Sequence, residues 1–272
     1  MMYITIMTAT PKIHRPTATT LLAIAALAVI AAGCGKTVVR KYAVPVADTV
    51  QTAAAAAILD TVSGTFTDSR DGQVYRTVVI GTQRWMAENL NYDVPGVDTD
   101  VCYANNSSNC DMYGRLYDWT TAMNLSSGCN YSSSCTSQVQ IVQHRGICPV
   151  GWHVPSQAEW RTLVKYVDPN ASGDHNNIAG TKLKSATGWN TKNGSIPGTD
   201  DFGFSALPGG NGSGGSFYNA GYNGYWWSAK EGSPALAREW YMIDHSYVFS
   251  NGFNAKTYRF SLRCVEDFAA PQ

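Results

Sequence analysis

Hydrophobic and polar positions alternate most clearly just after residue 63. Thr65-Phe66-Thr67-Asp68 and the run Gln73 to Ile80 flank Ser69-Arg70-Asp71-Gly72, and an Asp-Gly step between two alternating runs predicts a β-hairpin, because these residues accept the positive φ of a tight turn. Leu116, Trp119, Ala122 and Met123 recur at i, i+3, i+6 and i+7, the apolar stripe of an amphipathic helix. A second helix is announced by Ser156, an N-cap with Glu159 three residues on, the spacing of a capping box. Trp160, Leu163, Val164 and Val167 give it an apolar face. After Gly180 the periodicity yields to Gly, Asn, Ser and aromatic residues, which predicts loops and short strands. Two helices followed by irregular β structure is an α+β plan.

The first 63 residues are patterned differently. Leu21 to Ile30 is unbroken apolar chain, preceded by Lys12 and Arg15 without an acid and followed by Ala31-Ala32-Gly33-Cys34. That is a secretory signal of the lipoprotein kind, with Ala31 where such signals usually carry Leu. Its core of about 12 apolar residues is too short for a spanning helix, which needs roughly 20. Residues 1–33 are therefore read as signal peptide and Cys34 as the lipidated residue. Residues 34–63, rich in Ala, Val and Thr, form a tether, residues 64–268 the domain and residues 269–272 a tail.

Composition narrows the class. Twenty Lys and Arg balance twenty Asp and Glu, and removing the signal leaves 18 cations against 20 anions, so no basic field exists to hold a nucleic acid. An address outside the cytoplasm permits disulfides. Of seven cysteines, six remain once Cys34 carries lipid. Fifteen pairings are open to six cysteines in principle. Cys102 with Cys110 and Cys129 with Cys135 look local, around short polar loops, which leaves Cys148 and Cys264. No C-x-x-C pair marks a zinc site.

Seven blocks carry a family resemblance. They are D-S-R-D-G-Q-V-Y at 68–75, I-G-T-Q-R-W-M-A-E-N-L-N-Y at 80–92, Y-G-R-L-Y-D-W at 113–119, G-I-C-P-V-G-W-H-V-P-S at 146–156, D-F-G-F-S-A-L-P-G-G at 201–210, W-W-S-A at 226–229 and S-L-R-C-V at 261–265. In this order they resemble the Fibrobacter succinogenes major paralogous domain family. The resemblance implies a secreted or surface lipoprotein and a C-type-lectin-like fold, related in shape to the formylglycine-generating enzymes. It also implies a disulfide-stapled domain of two helices with twisted, short-stranded antiparallel sheets. Cys148 and Cys264 occupy the positions of that fold's core bridge, and the molecular role of the family is not established.

Candidate chemistry is sparse. Gly210 to Gly215 satisfies G-x-G-x-x-G, but no βαβ unit surrounds it and residues 216–225 do not have the pattern of a helix, so it is read as a mobile loop. Asp200, Asp201, Glu239 and Asp244, with His153, His175 and His245, are available for hydrolase chemistry, yet neither G-x-S-x-G nor H-E-x-x-H occurs. Asp200, Asp201 and Asn211 offer oxygens of the kind calcium takes but are read as turn formers. The remaining signal is aromatic: 13 of the 44 residues from Phe217 to Phe260 are Phe, Tyr or Trp, against 18 of the other 228. Core packing accounts for most such rings, while exposed rings stack on sugars. Tyr218, Tyr222 and Tyr225 in glycine-rich segments are the expected exposed members. Trp226 and Trp227 adjoin on an apparent strand, one facing the core and the other the surface, so Trp226 joins the candidate ligand face and Trp227 the core. The resulting expectation is a non-catalytic, cofactor-free lipoprotein of the outer membrane or cell surface. Its lipid anchor meets the membrane, and it acts in adhesion by binding polysaccharide or another cell-envelope glycan. The alternative is a protein-interaction scaffold, and an enzyme is third.

Overall fold

The computed structural model describes residues 64–131, 135–139, 142–192 and 194–268; the signal peptide, Cys34, the tether and the tail lie outside them. Strand β1 (Gly64–Thr67) pairs antiparallel with β2 (Val74–Ile80), Thr67 opposite Val74. Gly72 turns the chain at φ 77°. Asp68, buried beside that turn, accepts from Arg70 Nε at 2.9 Å and Nη2 at 2.6 Å, and Arg70 Nη1 donates to Ile147 O at 2.8 Å, so the hairpin is fastened to the core as well as formed locally.

The first sheet continues through β3 (Gln83–Met86) and is completed out of sequence order. Its strands run β1-β2-β3-β12-β5, with β5 at Trp152–His153 and β12 at Val265–Glu266. The second sheet has the order β10-β9-β8-β11-β4, where β4 is Leu116–Tyr117, β8 Asn223–Glu231, β9 Leu236–Ile243, β10 Ser250–Ala255 and β11 Phe260–Ser261. Ladders within both sheets are antiparallel except where β11 meets β8 at Ser261 and Trp226. Helices are few and short: α1 (Ser107–Tyr113), α2 (Trp119–Ala122), α3 (Gln157–Val167) and α4 (Ala179–Leu183). The architecture is α+β. Among the described residues no helix is long and apolar enough to cross a membrane.

Helix α3 forms as its sequence dictates. Glu159 N donates to Ser156 Oγ at 3.2 Å and Ser156 N donates to Glu159 Oε2 at 2.8 Å, a complete capping box. Its apolar face is buried, and Trp160 lies 4.6 Å from Trp85 of the first sheet and 6.1 Å from Trp240 of the second. The helix is thus packed between the two sheets.

Three expectations are corrected. The stripe from Leu116 to Met123 is buried but is not one helix. Leu116 and Tyr117 pair with β11, and Asp118 then caps the single turn of α2 by accepting from Thr121 N at 2.7 Å. The segment read as a mobile loop is a hairpin: β6 (Asn211–Ser213) pairs with β7 (Ser216–Tyr218) across Gly214 and Gly215, both at positive φ, as a two-residue turn requires. Trp226 does not face a ligand. Both it and Trp227 are fully buried, because β8 lies between two apolar clusters, one holding Trp226, Trp240 and α3, the other Trp227, Tyr117 and Phe260. The side chains alternate as expected, but at Trp226 and Trp227 neither face of the strand meets water.

All three disulfides are present. Cys102–Cys110 and Cys129–Cys135 close short segments, and Cys148–Cys264 joins residues 116 apart at a buried position.

Candidate functional site

The β6–β7 hairpin stands over one end of the second sheet. Gly212 exchanges backbone hydrogen bonds with Arg259 at 3.0 and 2.8 Å, and Gly210 N donates to Asn223 O at 2.8 Å. Gly210 permits the approach: it sits at φ 68°, and a Cβ there would come within 2.4 Å of Tyr218 O. Between hairpin and sheet lies an open groove of about 370 Å³. The hairpin side supplies Asn211, Ser213, Tyr218 and Asn219, and the sheet side Tyr225, Asn254, Tyr258 and Phe260. None of these carries a formal charge at neutral pH.

Local contacts fix the groove's polar groups. Asn219 Nδ2 donates to Asn211 Oδ1 at 3.2 Å and Asn223 Nδ2 to the Tyr225 hydroxyl at 2.6 Å. The Tyr225 ring stacks on Phe260 with centroids 4.9 Å apart and planes 18° from parallel. Burial pushes the Tyr225 hydroxyl above the ordinary tyrosine value despite the Asn223 hydrogen bond, so it remains a neutral donor and acceptor. Beneath Asn254 lies Glu239, which accepts from Asn254 Nδ2 at 2.9 Å through Oε1. Burial raises the pKa of its carboxyl against the opposing pull of its own backbone N–H, of Asn254 and of Arg238.

This arrangement suits a ligand with hydroxyls and apolar ring faces. Tyrosine rings offer flat apolar contact, and the amides offer donors and acceptors at fixed angles. It does not provide two carboxylates across a bond.

The sequence candidates are dispersed. Tyr218 and Tyr225 meet in the groove, whereas Tyr222 is exposed outside it and Trp226 is buried. Asp200 is a turn former, its carboxylate accepting from Ser205 N and Oγ, each at 2.7 Å. Asp244 binds His245 Nδ1 at 2.7 Å and accepts from Asn190 Nδ2 at 2.6 Å. His175 Nδ1 is hydrogen-bonded to Ser250 Oγ. His153 is enclosed, Nε2 2.6 Å from Glu159 Oε1 and Nδ1 2.7 Å from Asp267 Oδ1, and serves to join β5 to α3. Among the described residues no group of three or more His, Cys, Asp or Glu is placed to hold a metal ion.

Sequence reasoning does not single out Asn219, Asn254, Tyr258, Phe260 or the groove role of Glu239. Tyr258 and Phe260 fall inside the aromatic-rich segment at a spacing of two, a signal that they share one face. Nothing local distinguishes Asn254, which reaches the groove, or Glu239, which lies beneath it, through the pairing of β10 with β9 and of β9 with β8.

No curated protein and no solved structure matches the chain. A family model does, the Fibrobacter succinogenes major domain, over residues 78–266. That span runs from within β2 to β12 and takes in the second sheet, the first sheet apart from β1 and the start of β2, the Cys148–Cys264 bridge and the groove, and over it the chain belongs to the Fibrobacter succinogenes major domain family.

Proposed function

We propose that the chain is a non-catalytic, lipid-anchored module of the cell surface, C-type-lectin-like in fold, that binds a neutral polysaccharide or other envelope glycan in the groove between the β6–β7 hairpin and the second sheet. The observation that carries this reading is the groove's lining: three asparagines, three tyrosines, a serine and a phenylalanine, with no charge among them. Uncharged sugars present alternating apolar ring faces and hydroxyl edges, and such a lining answers both. The membrane end of the reading rests on the signal that ends at Cys34. The C-type-lectin-like fold is supported by the core position of the Cys148–Cys264 bridge.

The test is retention of the chain on cellulose, xylan and bacterial envelope glycans, with Tyr218→Ala and Tyr225→Ala compared with wild type. Variants that melt normally yet lose retention support a glycan groove. If no polysaccharide retains the wild-type chain, a scaffold presenting the domain to protein partners replaces it.

A further inference from the structure

Val150 is the most exposed large apolar side chain among the described residues, at 74%, and Val142 and Phe268 are 61% and 55% exposed. Local bonding gathers the three. Val150 stands at the tip of a turn closed by Trp152 N, which donates to Pro149 O at 3.1 Å, with Gly151 at φ 84°. Gly151 O accepts from Asp267 N at 2.9 Å, and Gln143 Nε2 donates to Phe268 O at 3.2 Å. These two bonds hold the turn of Val150 and the loop of Val142 against the chain at Phe268. Single exposed apolar side chains are ordinary, whereas several gathered at one end of a domain mark a contact surface.

The same end receives the chain from the tether. Gly64, where the described residues begin, lies beside Arg84: a Cβ on it would come within 3.0 Å of Arg84 Nη2. Arg84 with Glu266, Asp267 and Phe268 lines one open cavity of about 270 Å³, so the entry to the domain and the apolar cluster flank a single hollow. Cys34 precedes Gly64 by 30 residues, which at full extension confines the domain to within about 100 Å of the bilayer that holds the lipid. Attachment makes contact with that bilayer intramolecular, so a patch of modest affinity is occupied. Charge does not oppose the contact. Glu266 faces Arg84 at 3.4 Å and Asp267 is bonded to His153 at 2.7 Å, while Arg145, exposed on the loop between Val142 and Val150, supplies a cation for headgroup phosphates.

We propose that Val142, Val150 and Phe268 form a bilayer-contact face, by which this end of the domain lies on the membrane surface with the three side chains inserted among the headgroups. The inference goes beyond the glycan groove, on which it does not depend, and rests on lipidation of Cys34. Burying apolar side chains at the boundary between headgroups and acyl chains removes them from water, as in other interfacial segments. The two contacts divide the work: the lipid specifies attachment, and the face specifies orientation.

The experiment compares side-chain oxidation by hydroxyl radicals, read by mass spectrometry, in two forms of the full chain with disulfides intact. One is the lipidated protein on vesicles of phosphatidylethanolamine and phosphatidylglycerol, the other the Cys34→Ala chain in vesicle-free solution. Val142, Val150 and Phe268 are expected to be oxidised several-fold less on vesicles, with Tyr218 of the groove unchanged. The lipidated double variant Val150→Asp, Phe268→Asp should stay on the vesicles and lose the protection at Val142. Equal oxidation in the two forms overturns the contact face and leaves the anchor standing. A wild type that carries no lipid and does not bind vesicles overturns the anchor and the face with it. Protection that rises with protein concentration in vesicle-free Cys34→Ala, with a dimer in sedimentation, assigns the face to a second copy and overturns the bilayer contact. Should Phe268→Asp fail to fold, Val150→Asp at the turn tip carries the same comparison.

Discussion

Arg263 is clasped by Asn89: its Nε and Nη2 donate to Asn89 Oδ1 at 3.1 and 2.9 Å, inside a core where Arg263 is fully buried. The same oxygen accepts from Trp226 Nε1 at 2.8 Å, and Asn89 Nδ2 donates to Tyr113 O at 2.8 Å and Ser261 Oγ at 3.2 Å. The guanidinium also donates to Phe204 O and lies over the Phe204 ring at 4.3 Å. Burial brings its pKa down to about 9. Replacing Asn89 by Ala leaves a buried cation and an indole without their acceptor, which is expected to cost about 3 kcal/mol or more. Urea unfolding measures it, and a midpoint equal to wild type would contradict the role of the clasp.

His153 gives a pH dependence of folding. Burial disfavours its charge, but the Glu159 hydrogen bond and charge, followed by those of Asp267, outweigh burial and raise its pKa above 6.5. Glu159, for its part, is lowered below 4.5, the pull of His153 and Ser156 exceeding the opposing effect of burial. A raised histidine stabilises fully below its unfolded value and loses that contribution as pH rises through the folded one. A lowered carboxylate contributes above its unfolded value and loses the contribution on acidification. Stability from this cluster is therefore expected to be greatest between pH 4.5 and 6.5 and to decline as pH rises through the raised His153 value. A series of urea midpoints against pH checks this, and His153→Gln should flatten the alkaline side.

The bridges differ in what they constrain. Cys148–Cys264 spans 116 residues, the others 8 and 6. On chain-entropy reasoning, removing the long bridge costs about 4 to 5 kcal/mol and each short one about 2 to 3. Paired Cys→Ala variants, compared by denaturant unfolding, should fall in that order.

Aromatic substitutions should separate folding from binding. Trp227→Ala and Trp226→Ala both remove fully buried rings and are each expected to cost about 3 to 5 kcal/mol. Tyr218, 49% exposed, should leave folding within about 0.5 kcal/mol when replaced by Ala while reducing retention on the polysaccharide panel. A Tyr218→Ala domain that melts far below wild type would assign that ring to the framework.

Anchoring is tested at Cys34. Its change to Ala should release the protein from membranes or stall its processing. Mass spectrometry of the mature wild-type N-terminus should show lipid on Cys34, and an unmodified thiol would remove the anchor from the proposal.

Legibility in the sequence depends on range. The hairpin at Gly72 and helix α3 are specified by neighbours within a few residues, so alternation and a capping box suffice. Trp226 escapes such reasoning because strand alternation shows which residues share a face, not how many faces are covered. The motif blocks are mostly framework: Asn89, Phe204, Trp226 and Arg263, from four different blocks, meet in a single network. Every residue lining the groove lies between blocks. Its composition is partly visible as an aromatic excess, but Asn254 and Glu239 enter only through strand register, which requires the fold to be known.

The strand order of the first sheet also bears on how the chain folds as it is made. β12 lies between β3 and β5, pairing Val265 with both Trp85 and His153, so those two strands have no direct ladder to each other. A polypeptide delivered N-terminus first through a ribosome or a translocation channel therefore holds this sheet as two unjoined pieces until residues 265 and 266 emerge, and Cys148 waits as long for its partner. Closure of the fold is deferred until the last strand is released, which keeps the nascent chain threadable up to that point.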